Sequence, residues 1–367
     1  MVLDPNFWRG KSVFLTGHTG FKGGWLTLWL HAMGARVSGY SLAPPTQPAL
    51  FETGRVQEAT RASTLADIRD LGSLRDALLR SEAEIVFHLA AQPLVRASYA
   101  APVDTYAVNV MGTVHLLEAM RDLPSLRAAV MITTDKCYEN REWPWGYREN
   151  EAMGGHDPYA SSKGCAELVV AAYRRSFYAG GTAGIASARA GNVIGGGDWA
   201  SDRLVPDLIR AFACGQAVTL RNPDAVRPWQ HVLEPLAGYL LLAERLTGSG
   251  SAEMDDRGDG GYAGGWNFGP SERDARTVID VVSAAAAQWG QGAAWNIDTS
   301  AENRQVHEAR LLKLDSTLAR ERLGWKPRLD LPQALAWTLG WYRAHHAGED
   351  MHAYSMAQIE RYQELSA

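Results

Sequence analysis

Lys11-Ser12-Val13-Phe14-Leu15-Thr16-Gly17-His18-Thr19-Gly20-Phe21-Lys22-Gly23-Gly24-Trp25 is the run that decides the fold. It begins as a short apolar strand and passes through a glycine-rich turn. It then opens a helical pattern (Trp25, Leu26, Leu28, Trp29, Leu30) that runs out near Gly34. Strand, glycine turn and helix in that order lay a pyrophosphate on a helix N-terminus, where free N–H groups and the dipole attract anions. Gly17 permits the tight turn, Gly20 lets backbone approach phosphate, and Gly23 lets the helix pack closely on the strand. Phe21 and Lys22 lie inside the same loop. His18 can reach the pyrophosphate or serve the loop structurally, and both readings stand. The spacing is G-x-x-G-x-x-G rather than G-x-G-x-x-G, so its weight rests on the flanking strand and helix.

Working outward, the next strand, Arg36 to Ser41, has no acidic residue placed to grip a ribose 2′-OH. Neither does an Arg follow to hold a 2′-phosphate. The residues alone therefore leave NAD and NADP both open. Asp67-Ile68 sits where a strand end meets an adenine ring, or in a surface turn. Glu84 to Leu89 reads as a buried strand closing in Ala90-Ala91-Gln92-Pro93, whose small side chains leave room for a dinucleotide beside Leu89. His88, among apolar neighbours, reads as a satisfied core histidine. A helix is expected from about 104 to 121, with Asn109 bonding backbone to fix the neighbouring loop. Another strand, Ala128 to Ile132, ends in Thr133-Thr134-Asp135-Lys136, and a helix opens at Tyr159. This β-α-β alternation predicts an α/β fold, a doubly wound parallel Rossmann-type sheet with a smaller C-terminal substrate-binding lobe. Residues 1–190, with returning segments near 218–246, are assigned to the nucleotide-binding domain, and 191–217 with 247–367 largely to the lobe.

The 367 residues suffice for a large core. A formal charge of −5, without a dense Lys/Arg cluster, gives no case for nucleic acid or an anionic membrane. No apolar run reaches membrane length, and the first ten residues have no hydrophobic signal core. Cys137, Cys165 and Cys214 are odd in number and far apart, which argues against a disulfide frame or a zinc site. The expectation is a soluble cytoplasmic protein without a metal. The glycine-rich segment 247–265 reads as a flexible surface loop, and helices are expected at about 276–289, 315–323 and 331–346.

Tyr159 and Lys163, four residues apart, share a helix face at about 5–6 Å between Cβ atoms. An ammonium that close favours the phenolate, so the tyrosine is expected to work as a base well below its usual pKa. Thr134, at the mouth of a buried strand, is placed to hydrogen-bond the same substrate oxygen. Arg221 and the run Arg227 to Val232 put cations and an indole where a nucleotide can be held, or merely on the surface. Trp143 and Trp145 either wall a sugar pocket or pack a loop.

With these residues assembled, the chain resembles the extended short-chain dehydrogenase/reductases of the sugar-nucleotide branch over nearly its whole length, and within it most resembles the CDP-glucose 4,6-dehydratases. The likeness is carried by the phosphate loop with Trp25, by Ala90-Ala91-Gln92-Pro93-Leu94-Val95-Arg96, and by Thr134-Asp135-Lys136-Cys137-Tyr138. The run Glu142 to Glu151 with Gly154 to Tyr159 extends it, as do Gly195-Gly196-Gly197-Asp198-Trp199, Asp202 to Pro206, Arg227 to Val232 and His307-Glu308-Ala309. The resemblance implies NAD as cofactor, a nucleotide sugar (CDP-glucose) as substrate, and a redox-neutral dehydration. It gives Tyr159 the 4-hydroxyl proton, Thr134 a bond to that oxygen, and Lys163 the nicotinamide ribose. Asp135 becomes the acid at C6 and Lys136 the base at C5, where most relatives have a carboxylate. Lys136 can instead hold charge against substrate or cofactor. Arg96, Asn192, Arg203, Leu204, Arg227, His231 and His307 are implied at the substrate. A homodimer or dimer of dimers is implied through the helices near 104–121 and 160–178. Asp135-Lys136 speaks against a 4-epimerase, which needs no such pair. A non-catalytic dinucleotide sensor would not be expected to keep both Tyr159 and Lys163.

Overall fold

The computed structural model describes residues 3–252, 260–298 and 309–365. Its centre is a seven-stranded parallel sheet. Six of the strands are β1 (Ser12–Thr16), β2 (Arg36–Ser41), β3 (Ala62–Leu65), β4 (Ile85–His88), β5 (Ala128–Ile132) and β6 (Gly184–Ala190). The order across the sheet is Gly265–Phe268, β6, β5, β4, β1, β2, β3. Every residue of β1, β4, β5 and β6 is buried, as strands covered by helices on both faces require. One cover contributes Trp25, Leu28, Trp29, Leu236 and Leu240, the other Leu74, Leu78, Leu116 and Leu117.

The chain winds outward in both directions from β1, which lies between β2 and β4. The turns leaving β1 and β4 therefore diverge, and a crevice opens at the carboxyl ends of the strands. The helix expected near 104–121 runs as Pro102–Tyr106, a π-helical turn Ala107–Met111, and Gly112–Met120. Such an inserted residue redirects side chains, and Asn109 lies within that turn.

Two boundaries are corrected. Ala217–Leu220, placed at the edge of the lobe with its return to the nucleotide-binding half, pairs with Ala294–Ile297 in a separate two-stranded sheet. Gly265–Phe268, assigned to the lobe, is an edge strand of the main sheet beside β6. A helix absent from the sequence reading, Met351–Glu364, packs Tyr362 against Trp29 with ring centroids 5.5 Å apart. It buries only the narrow row Met351, Ser355, Ile359 and Tyr362 with Gln358, so its apolar periodicity is faint. Among the described residues no helix is long and apolar enough to cross a membrane.

Candidate active site

A cavity of about 1160 Å³ fills the crevice. Its floor is the glycine loop. Gly17 has φ +81°, a left-handed conformation that favours glycine. A Cβ on Gly23 would fall 2.0 Å from the Gly17 carbonyl oxygen, so only glycine lets the helix Phe21–Ala32 start against this turn. Gly17, Gly20, Phe21, Lys22 and Gly23 line the cavity. At Gly20 a Cβ would meet only the Gly17 carbonyl oxygen, at 3.4 Å, so the backbone there stands open to a dinucleotide's pyrophosphate.

His18 does not line the cavity. Its ring is fully buried against Gly39, Nε2 pairs with the Ser63 hydroxyl at 2.7 Å, and Phe51 meets it edge-on. Burial lowers its pKa to about 4, so it is a neutral packing residue behind the loop. Leu89, Ala90 and Ala91 form the opposite wall, and Asp67 and Ile68 lie at its far end. The Thr16 hydroxyl oxygen accepts from the Leu89 and Ala90 amides at 3.1 and 3.2 Å and pairs with His88 Nδ1 at 2.7 Å. His88 Nε2 bonds Thr113, which makes it the satisfied core residue expected. Gln92 and Asn109 stand behind the wall. Asn109 Oδ1 accepts from the Gln92 amide at 2.8 Å while its Nδ2 donates to the Gln92 carbonyl and the Ser162 hydroxyl. They shape the loop rather than face the crevice.

Thr133, Thr134, Asp135, Lys136, Tyr159 and Lys163 all line the cavity. β5 delivers the first four, and a short 3-10 turn, Asp135–Cys137, is capped by Thr134, which accepts from the Lys136 amide at 3.4 Å. The helix Pro158–Tyr173 delivers the others, with Pro158 at its first position and the Asp157 carboxylate accepting from the Ala160 amide at 2.9 Å. Thr134 donates to Asp135 Oδ1 at 3.0 Å, whereas Oδ2 is buried with no hydrogen-bond partner among the described residues. Burial pushes the Asp135 carboxyl up, against Lys136, Thr134, Arg227 and Lys22. That favours the protonated acid.

The tyrosine departs from expectation. Burial raises Tyr159 to about 12, and the Thr134 hydroxyl and the Arg203 guanidinium only partly offset it. Lys163 is itself lowered to about 8 by burial, and its Nζ donates to the Ile132 carbonyl at 3.4 Å. Desolvation outweighs the helical-spacing argument. Lys22, in the first turn of the helix Phe21–Ala32, is lowered to about 7 by burial and by Arg203 and Lys163.

Arg96, Asn192, Arg203, Leu204 and Arg227 line the other end, with Arg203 Nη1 donating to Asp198 at 3.0 Å. His231 does not; it is buried between Trp25 and Trp337, and burial lowers its pKa to about 3. His307 lies outside the described residues. Trp143 and Trp145 also stand off the cavity, Trp143 stacking on Tyr147 at 5.8 Å and Tyr147 on Tyr138 at 5.3 Å. The sequence reading missed Glu167 and Arg189, a buried ion pair at 2.8 Å beneath Thr133. Glu167 falls one turn after Lys163, a spacing that could have flagged it.

The family model described as GDP-mannose 4,6 dehydratase matches residues 14–338. A CDP-glucose 4,6-dehydratase of Salmonella typhimurium is 52% identical over 366 residues, covering 98% of each chain. Two solved structures share the fold. A UDP-glucose-4-epimerase from Stenotrophomonas maltophila with bound NAD has a TM-score of 0.76 at 22% identity, covering 92% of this chain and 99% of that one. A dTDP-glucose 4,6-dehydratase from Bacillus anthracis in complex with NAD has 0.74 at 18% identity, covering 93% and 99%.

Proposed function

Because the chain belongs to the GDP-mannose 4,6 dehydratase family, we propose that it converts CDP-glucose to CDP-4-keto-6-deoxy-glucose, with NAD held in the crevice. The single observation that carries this reading is the convergence of Thr134, Asp135, Lys136, Tyr159 and Lys163 on one cavity that begins at the glycine loop. The choice of CDP-glucose rests on the Salmonella relative.

The glycine loop, the wall Leu89 to Ala91, Asp67 with Ile68, Thr133 and Lys163 hold the cofactor. Bound NAD supplies a hydride acceptor for sugar C4 and a donor for C6. Tyr159 takes the proton from the 4-hydroxyl while Thr134 holds that oxygen. Lys163, in its ammonium form, stabilises the phenolate that results. Lys136, as the free amine, removes the C5 proton made acidic by the new ketone. Asp135, whose carboxyl burial pushes up, gives its proton to the departing C6 hydroxyl as water leaves. Lys136 returns its proton to C5 as C6 takes up the hydride, and the proton held by Tyr159 makes good the one Asp135 gave, so the protons balance.

Incubating the protein separately with CDP-glucose, UDP-glucose and GDP-mannose, with and without NAD, and reading product mass tests the reading. Loss of one water from CDP-glucose alone is expected. An isomeric product without mass loss would overturn it in favour of an epimerase. Gly23→Ala is expected to weaken NAD binding at least about tenfold, ~1.4 kcal/mol, because its Cβ meets backbone that cannot yield locally. Fluorescence titration with NAD reads this directly.

The assembly we propose is a dimer through the helices Pro102–Met120 and Pro158–Tyr173. Val103 and Leu168 on this face are 81% and 60% exposed, and Met111 and Phe177 add to it. Sedimentation should give twice the chain mass, and Val103→Glu with Leu168→Glu should give the monomer. We place the protein in the cytoplasm, where its three free cysteines stay reduced.

A further inference from the structure

Beneath the reacting groups lies a carboxylate that the proposed chemistry does not use. Glu167 is buried, yet three donors converge on it. The Thr133 hydroxyl donates to Oε1, and the Ser187 hydroxyl and Arg189 Nη2 donate to Oε2 at 2.6 and 2.8 Å. Arg189 in turn donates to the Tyr138 hydroxyl oxygen at 2.6 Å, and Tyr138 donates to Asn267 Oδ1 at 2.7 Å. A carboxylate so surrounded stays ionised, and its pKa is lowered chiefly by Arg189 against the cost of burial. An ion pair this deep gives little net stability over an apolar pair of the same shape, so stability alone does not account for it.

Its position suggests what it does. Glu167 lies on the same helix face as Lys163, one turn further on. Through Thr133 it grips the residue between β5 and Thr134-Asp135. We infer that Glu167 is a positioning residue for the catalytic pair, fixing the carboxyl end of β5 through Thr133 and setting a permanent negative charge under Lys163. Without such a charge, burial would lower Lys163 further and thin the ammonium that stabilises the tyrosine phenolate. The other ionisable groups facing Lys163 give it no such anion, and Tyr159, one turn back on the same helix, is a phenol raised to about 12. Cys137, after β5, is a buried thiol whose pKa is pushed up. His88, at the end of β4, is buried and neutral, and Lys22, in the first turn of the helix Phe21–Ala32, offers only a like charge. Lys163, lowered by burial to about 8 with Glu167 opposing, sits close enough to neutrality for that opposition to matter.

The inference rests on the dehydratase reading for its consequence but can be tested apart from it. The sequence has six lysines, so protein labelled with carbon-13 at lysine Cε gives few signals, and Lys163→Arg assigns the one of interest. In wild type that signal should titrate near 8. In Glu167→Gln its midpoint should fall by about one pH unit or more, and in Glu167→Asp it should stay within about half a unit. Should Glu167→Gln fail to fold with Arg189 left unpaired, Glu167→Gln with Arg189→Gln removes both charges and should show the same fall. An unmoved midpoint in whichever of the two folds overturns the inference. The high-pH limb of CDP-glucose turnover should move with the midpoint, and a rate lost equally at every pH would overturn it too. If wild type does not turn over CDP-glucose, the dehydratase reading fails, while a moved midpoint still supports the role of Glu167.

Discussion

Tyr159→Phe is expected to lower turnover of CDP-glucose by roughly 10³-fold, ~4 kcal/mol on the barrier, within the range for removing a general base. The ring stays and only the hydroxyl goes, so the buried wall against Thr134 keeps its packing. The measurement is single-turnover absorbance of NADH on mixing enzyme, NAD and CDP-glucose. No burst should appear, because the 4-hydroxyl proton has nowhere to go. A normal burst would remove Tyr159 from the reaction. The raised pKa of about 12 adds a pH signature. Turnover should climb as pH rises toward the tyrosine's pKa in the complex, until Lys163 loses its proton and the gain is cancelled.

Asp135→Asn separates the two halves of the reaction. Oxidation at C4 should proceed within a few-fold of wild type, while loss of water slows by at least roughly 10²-fold, since the amide cannot protonate the departing hydroxyl. NADH should therefore accumulate, and mass analysis should show no dehydrated product. Dehydration at the normal rate would mean that another group is the acid. The variant should not lose stability. In the fold the carboxyl is raised above its ordinary value, so between the two values the native state holds a proton that the unfolded chain has released. Stability from this group falls as pH rises through that window. A neutral asparagine escapes the penalty, and thermal melts above pH 7 should place the variant level with wild type or above it.

What the residues alone revealed follows a pattern. Glycine spacing, strand runs and the Tyr159–Lys163 offset are local signals, and the residues they single out line the cavity. His18 and His231 misled because both stand inside recognisable runs, yet a histidine's direction depends on partners remote in sequence. Gly39 and Ser63 take up one, Trp25 and Trp337 the other. Tyr159 lines the cavity, but its pKa moves up rather than down, because helical spacing reports a neighbouring charge and not the loss of water around both groups. Arg189 could not be read at all. Its partners Glu167, Tyr138 and the Glu149 carbonyl all lie 22 or more residues away along the chain.

The strand Gly265–Phe268 has a consequence for how the protein is made. It supplies Asn267 to the Tyr138–Arg189 chain and covers the outer edge of β6, yet it is synthesised long after both. A ribosome that has released only the nucleotide-binding half leaves β6 as a bare edge of backbone N–H and C=O groups, a template for pairing with a neighbour. Contacts this distant in sequence form slowly. The nascent chain is therefore most exposed to misassembly in the interval before residue 268 emerges, and a chain truncated within that interval should precipitate rather than accumulate as a smaller folded domain.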